Sequence, residues 1–203
     1  RTHLSKGLVK RAKQIAQKNI ELLAFIADSP YPLIGLEPSA ILTFRDEYID
    51  LVPEELRAKT TALSHKVMLF EEFMAAEMDK GNIMKESFKT DKKKVVIHGH
   101  CHQKALSSVS FIKKVLSLPA NYEATVIASG CCGMAGSFGF DKEHYATSMK
   151  IGELVLFPAV RSQSEDVIIA APGTSCRHQI LDGTKREALH PAEVLYEALI
   201  IKI

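Results

Sequence analysis

From Ser5 to Ala27 apolar residues recur at three- and four-residue steps: Leu8, Val9, Ala12, Ile15, Ala16, Ile20, Leu23 and Ile26. That spacing predicts an amphipathic helix, with Ser5 as a candidate N-cap. The run Pro32-Leu33-Ile34-Gly35-Leu36 is short, apolar and bounded by turn residues, which predicts a buried strand. Pro38 disfavours helical backbone at Glu37, so the turn falls there. A second helix is expected over Ile41 to Tyr48, and a long amphipathic helix from Thr60 to Lys80. The weakly patterned, polar stretch from Gly81 to Lys92 reads as a linker.

Beyond it the pattern alternates. Strands are predicted at Val95 to Ile97, Ala124 to Ala128 and Val167 to Ala171. Helices are predicted at Gln103 to Leu118, Lys142 to Val160 and Cys176 to Leu181, and a last one from Pro191, where proline suits a first helical turn. Strands alternating with helices of this length imply βαβ units and a parallel sheet covered on both faces. The fold class is α/β: two Rossmann-like βαβ halves with parallel sheets, the first truncated at its front. The halves are placed at residues 1–90 and 91–203, and the chain reads as a fragment of a longer polypeptide.

Cysteine usage sharpens this picture. All four cysteines follow predicted strand ends: Cys101 in His98-Gly99-His100-Cys101-His102, the pair in Gly130-Cys131-Cys132-Gly133-Met134-Ala135-Gly136, and Cys176 in Gly173-Thr174-Ser175-Cys176. In open α/β sheets the carboxyl edge of the strands is where ligands bind. Four thiols delivered there predict a metal or metal-cluster site with Cys101, Cys131, Cys132 and Cys176 as ligands, none of them on a helix core face. Thiolates suit zinc and iron–sulfur clusters. Gly130, Gly133 and Gly136 would let backbone approach an inorganic core and free amide N–H groups to bond sulfur.

Histidines crowd the same segments. His98, His100 and His102 would share one face of a persisting strand, with Cys101 opposite. His100 and His102 are candidate ligands or donors to the ligands. His178 lies nearby in sequence, and strand-end hydrogen bonding is the alternative role for each. Glu37 and Arg45, near another strand end, could touch a cofactor, but a structural ion pair is the favoured reading. Two disulfides, four buried structural thiols, a Cys–His nucleophile and a Cys131-Cys132 thiol oxidoreductase are the competing readings of the cysteines.

Charge changes little: 26 Lys and Arg against 24 Asp and Glu give a net charge of +2. That balance argues against nucleic acid as a partner, and Lys92-Lys93-Lys94 reads as a solvated strand entry. No apolar run approaches the roughly 18 to 20 residues that span a bilayer.

The motifs resemble the cysteine-rich CCG domain of iron–sulfur oxidoreductases, and more closely the C-terminal module of fused proteins with an FAD-linked oxidase domain. The group includes subunits of glycolate oxidase, anaerobic glycerol-3-phosphate dehydrogenase and heterodisulfide reductase, and D-lactate or D-2-hydroxyglutarate dehydrogenase-like enzymes. The likeness rests on Gly35-Leu36-Glu37-Pro38-Ser39, His98 to His102, Gly130 to Gly139, Ser175 to Ile180 and Ala188 to Leu195. The family pattern ends in Cys-x-x-Cys. Here Gly173 stands at the first of those positions, and Ala40 stands where relatives carry a first-half cysteine. Four thiolates remain, enough for a [4Fe–4S] cluster or a zinc site rather than the family's five-cysteine cluster.

The resemblance implies an electron-transfer module of a flavin-dependent D-2-hydroxyacid dehydrogenase, with FAD in a part of the polypeptide absent here and no catalytic competence of its own. Its partners would be the flavin domain and a ferredoxin-like segment, in the cytoplasm or peripheral at the inner membrane. The alternative is a zinc-stabilised docking module of the same enzyme.

Overall fold

Residues 1–200 are described by a computed structural model. The chain forms two compact units, Arg1–Leu69 and a second from Phe70 onward.

In the first unit Thr2–Ser5 (α1) and Val9–Leu23 (α2) are separate helices. Gly7 takes a φ of +70°, a left-handed turn between them. Ser5 therefore ends α1, and Leu8, without a side-chain cap, precedes α2. The expected strand is present as Leu33–Gly35 (β1), followed by Pro38–Arg45 (α3), Tyr48–Leu51 (α4) and Glu54–Ser64 (α5). Glu37 caps α3, accepting from the Ser39 amide at 3.3 Å and the Ser39 hydroxyl at 2.8 Å. Arg45 donates to the carbonyl of Val67 at 2.7 Å.

The long helix predicted from Thr60 to Lys80 does not form. Val67–Leu69 (β2) interrupts it and pairs parallel with β1, Leu33 opposite Val67. Periodicity cannot distinguish a three-residue apolar strand from part of a buried helix; a partner strand decides. Ala12, Ala16, Ile20, Tyr48, Leu51 and Leu63 form this unit's core.

The second unit begins with Phe70–Asp79 (α6), a segment that the placement of the halves at residues 1–90 and 91–203 puts in the first. Ala75 belongs to a core with Phe88, Val95 and Ile97, and Phe70, Met74 and Met78 pack against it. The predicted strands appear as Lys93–Ile97 (β3), Tyr122–Val126 (β4, two residues earlier than the expected Ala124 to Ala128) and Ile168–Ala170 (β5), all parallel in the order β4-β3-β5. The helix expected from Gln103 to Leu118 divides into Cys101–Leu106 (α7) and Ser110–Leu116 (α8). Ser107 is extended between them, and Ser108 Oγ accepts from the Ser110 amide at 3.1 Å, a local bond that competes with helix. The Lys142 to Val160 helix divides into Tyr145–Leu154 (α9) and Leu156–Arg161 (α10). Pro158 lacks an N–H and crowds the carbonyl of Leu154, where α9 ends.

Thr174–Thr184 (α11) and Pro191–Ala198 (α12) complete the unit. Proline opens α12 as expected. His190 Nδ1 accepts from the Ala192 amide at 3.0 Å, and Glu193 Oε2 accepts from the His190 amide at 2.6 Å. We expect His190→Ala and Glu193→Ala each to lower stability by about 1 kcal/mol in urea titration.

Alternation along β3 assigns the two faces. Val95 and Ile97 face a core with Ile112, Val115, Val194 and Leu195, from α8 and α12. Val96 faces one with Phe157, Val160 and Ile180, from α10 and α11. The crossover from β3 to β4 therefore covers one face, and that from β4 to β5 the other. The chain's path reverses at β3, which leaves a crevice at the carboxyl edge. Among the described residues no helix is long and apolar enough to cross a membrane.

Candidate metal centre

His98 follows β3 directly, and its amide still bonds Ala170 O at 2.9 Å, extending the ladder by one residue. Period two places it on the Val96 face, the face of Cys132 and Cys176. Cys101 opens α7 from the same strand end, Cys131 and Cys132 lie in the loop after β4, and Cys176 lies in the first turn of α11 after β5. Three βα turns thus deliver four thiols to one edge.

The sulfurs form an unbroken series of contacts. Cys101 neighbours Cys131, Cys131 neighbours Cys132, and Cys132 neighbours Cys176, each near enough to shift the other's proton. Cys101 is exposed, Cys131 half-buried, and Cys132 and Cys176 buried, so the series runs from surface to core. All four thiols are free, which removes the disulfide reading. The expectation that no cysteine sits on a helix core face is corrected for Cys176: α11 starts so close to the strand end that its first turn lies over the sheet edge, within the core.

Proton sharing polarises the free thiols. Cys131 is held well below the usual thiol range, chiefly by hydrogen bonds from Cys101 and Cys132, against the effect of burial. Cys176 is lowered by the bond from Cys132, with His98 adding to the effect against burial. Cys101 is pushed up by its bond to Cys131 and by burial, and Cys132 by its bonds to Cys131 and Cys176 and by burial.

The glycine-rich loop supplies amides to these sulfurs. Gly133 and Ala135 donate to Cys131, the Gly133 N–H at 3.3 Å, and Met134 donates to Cys132. Gly133 has a φ of +105°, and a Cβ there would lie 2.2 Å from the carbonyl oxygen of Ser148. Only glycine fits. Gly136 also has positive φ, whereas Gly130 borders open space.

Two further groups fix the loop, and neither is singled out by the sequence pattern. Ser129 Oγ lies 2.8 Å from His98 Nδ1. Lys104 of α7 donates to Ser129 O at 2.5 Å and Gly130 O at 3.1 Å, tying helix to loop. Their only sequence signal is proximity to the cysteine motifs. We expect Lys104→Met to weaken metal retention about tenfold without unfolding the chain, as loss of a partner to the ligand loop does; competition with a chelator measures it.

The predicted histidines separate. His100 caps α7, its Nδ1 accepting from the His102 amide at 3.1 Å. The remainder of its ring lies against Gly173, where a Cβ would come 2.4 Å from His100 Cδ2 and 3.3 Å from Cys176 Sγ. His178 is exposed on α11. The histidine that joins the thiols is His98: one ligating atom each from His98, Cys132 and Cys176 lie within 4.8 Å of one another.

This donor set fits a thiophilic metal. It offers soft sulfurs, amide N–H groups directed at them, and a buried imidazole. It does not fit a five-cysteine cluster, because the fifth position is Gly173 and His100 occupies the space of its missing side chain.

A parallel α/β unit with thiols gathered at a topological switch point defines the class, a cysteine-rich α/β module with a candidate metal site. No protein-family profile matches the chain, and no solved structure matches it. Curated relatives do. One subunit of the anaerobic glycerol-3-phosphate dehydrogenase of Escherichia coli K12 is 29% identical over 197 residues, 97% of this chain and 48% of that protein. D-2-hydroxyglutarate dehydrogenases are similar across 96% of the chain: that of E. coli K12 at 25% identity, and that of Haemophilus influenzae at 27%. This chain spans 18% and 19% of those two proteins and about half of the first. Both are among the groups to which the cysteine motifs point.

Proposed function

We propose that this chain is the electron-transfer module of a flavin-dependent dehydrogenase acting on a D-2-hydroxy acid, its cysteines holding an iron–sulfur centre. The observation that carries this reading is the contact series Cys101–Cys131–Cys132–Cys176, assembled from three separate βα turns. The names of the relatives given above, dehydrogenases and a dehydrogenase subunit, support the oxidoreductase class. An iron–sulfur centre supplies one-electron chemistry when bound. The chain's own part is to hold the thiolates, direct the amides of Gly133, Met134 and Ala135 at sulfur, and keep water from Cys132 and Cys176. FAD, the substrate site and a ferredoxin-like segment belong to polypeptide outside this chain, and the fragment alone turns over nothing.

A second reading, a zinc-stabilised docking module without electron transfer, is favoured by one observation. The close grouping of His98, Cys132 and Cys176 suits ligands of a single ion, since two sulfurs on one tetrahedral zinc lie about 3.8 Å apart. Anaerobic purification separates the two. Brown protein with broad visible absorbance bleached by dithionite supports the cluster. Colourless protein with about one zinc per chain supports the docking module and overturns electron transfer.

A further inference from the structure

His98 is fully buried, at 0% exposure, with one ring nitrogen paired and the other without a formed hydrogen bond. Nδ1 faces Ser129 Oγ at 2.8 Å. Nε2 has no hydrogen-bond partner among the described residues, and one ring nitrogen lies within 4.8 Å of the sulfurs of Cys132 and Cys176. An unpaired polar atom in a core is costly, and native folds keep few of them. This one shares a cluster with two buried sulfurs. In the tautomer with its proton on Nδ1 the ring donates to Ser129 Oγ, and the Nε2 lone pair is then available to a metal. Metal-bound histidines carry the same arrangement, the second nitrogen donating to a fixed oxygen.

We infer that His98 Nε2 is a direct ligand of the metal centre, acting with Cys132 and Cys176 to make a mixed imidazole–thiolate site. The inference rests on the metal-centre reading above and adds a ligand to it. The imidazole supplies the further donor that Gly173 does not. His100, committed at Nδ1 to capping α7, supports the wall of the site and is not its nitrogen ligand.

Both sources of a thiophilic metal are tested on the whole chain under anaerobic conditions: iron with sulfide in one arm, cobalt(II) as the stand-in for zinc in the other. X-ray absorption of the loaded wild type is expected to show a nitrogen neighbour beside sulfur, at about 2.0–2.1 Å in a zinc-loaded sample. His98→Ala is expected to lose more than the roughly 100-fold in affinity that removal of an outer partner costs. His98→Cys is expected to retain metal with stronger sulfur-to-metal charge-transfer bands, which guards against a variant that merely misfolds. Ser129→Ala is expected to weaken binding about 10- to 100-fold with an unchanged ligand set. Wild-type affinity and spectrum in His98→Ala, or only sulfur around the metal, would overturn the role of His98 and leave the metal centre standing. A wild type that loads in neither arm overturns both.

Discussion

Cys176→Ser is expected to abolish retention of the metal centre, with affinity falling by more than about 100-fold. Cys176 is the deepest thiol of the series, 2% exposed, and its sulfur contacts Cys132 and lies beside His98. A serine hydroxyl there is a hard, neutral donor in place of a soft anion. The same substitution at Cys101 discriminates between the two candidate centres. Cys101 is exposed and contacts the series only through Cys131, so a four-thiolate cluster needs it and an ion held by His98, Cys132 and Cys176 does not. Cys101→Ser should therefore destroy iron–sulfur loading yet spare cobalt(II) loading. Because Cys101 and Cys132 are pushed up as free thiols, metal binding must expel their protons, and affinity should weaken as pH falls. Equal metal content in Cys176→Ser and the wild type would show that the thiols are structural.

The second large effect is a pH dependence set by Glu71, away from the thiols. Glu71 lies in the first turn of α6, fully buried, and neither carboxylate oxygen meets a hydrogen-bond partner. Burial pushes its pKa from 4.5 up to about 7, and the neighbouring Glu72 adds to the shift. The folded chain thus binds a proton more tightly than the unfolded one. Stability is greatest below the unfolded pKa, falls as pH rises from about 4.5 to about 7, and is flat above. The loss is about 3 kcal/mol, from about 1.4 kcal/mol per pKa unit. In Glu71→Gln this slope should disappear; the difference between wild-type and variant denaturation curves across pH 4 to 8 isolates it. Parallel curves would show that the carboxyl is solvated.

Much of the second unit was legible because its signals are local. The β3 and β5 segments are apolar stretches followed within a few residues by His98-Gly99 and Pro172-Gly173, and β4 leads into Ser129-Gly130. The helices were less legible. Apolar periodicity runs on where the helices are cut, at Ser107, at Val155 before Pro158, and at Val67–Leu69, because neighbouring residues or a partner strand outweigh it. The first strand and the turn at Glu37 were visible from Pro38, whereas the attachment of α6 to the second unit was not, since an apolar helix face does not name its partner core.

The sequence by itself determined the chemistry available: four thiols and a knot of histidines at strand ends, in a near-neutral α/β chain. Tertiary structure alone decided which of them meet. It carried Cys176 inward on the first turn of α11, made His100 a helix cap, gathered buried His98 with Cys132 and Cys176, and filled the space beside Gly173 with an imidazole ring. The physical reason is range. Side-chain direction follows from neighbours one or two residues away, whereas a coordination sphere joins segments more than thirty residues apart, and only sheet order and helix packing set those distances.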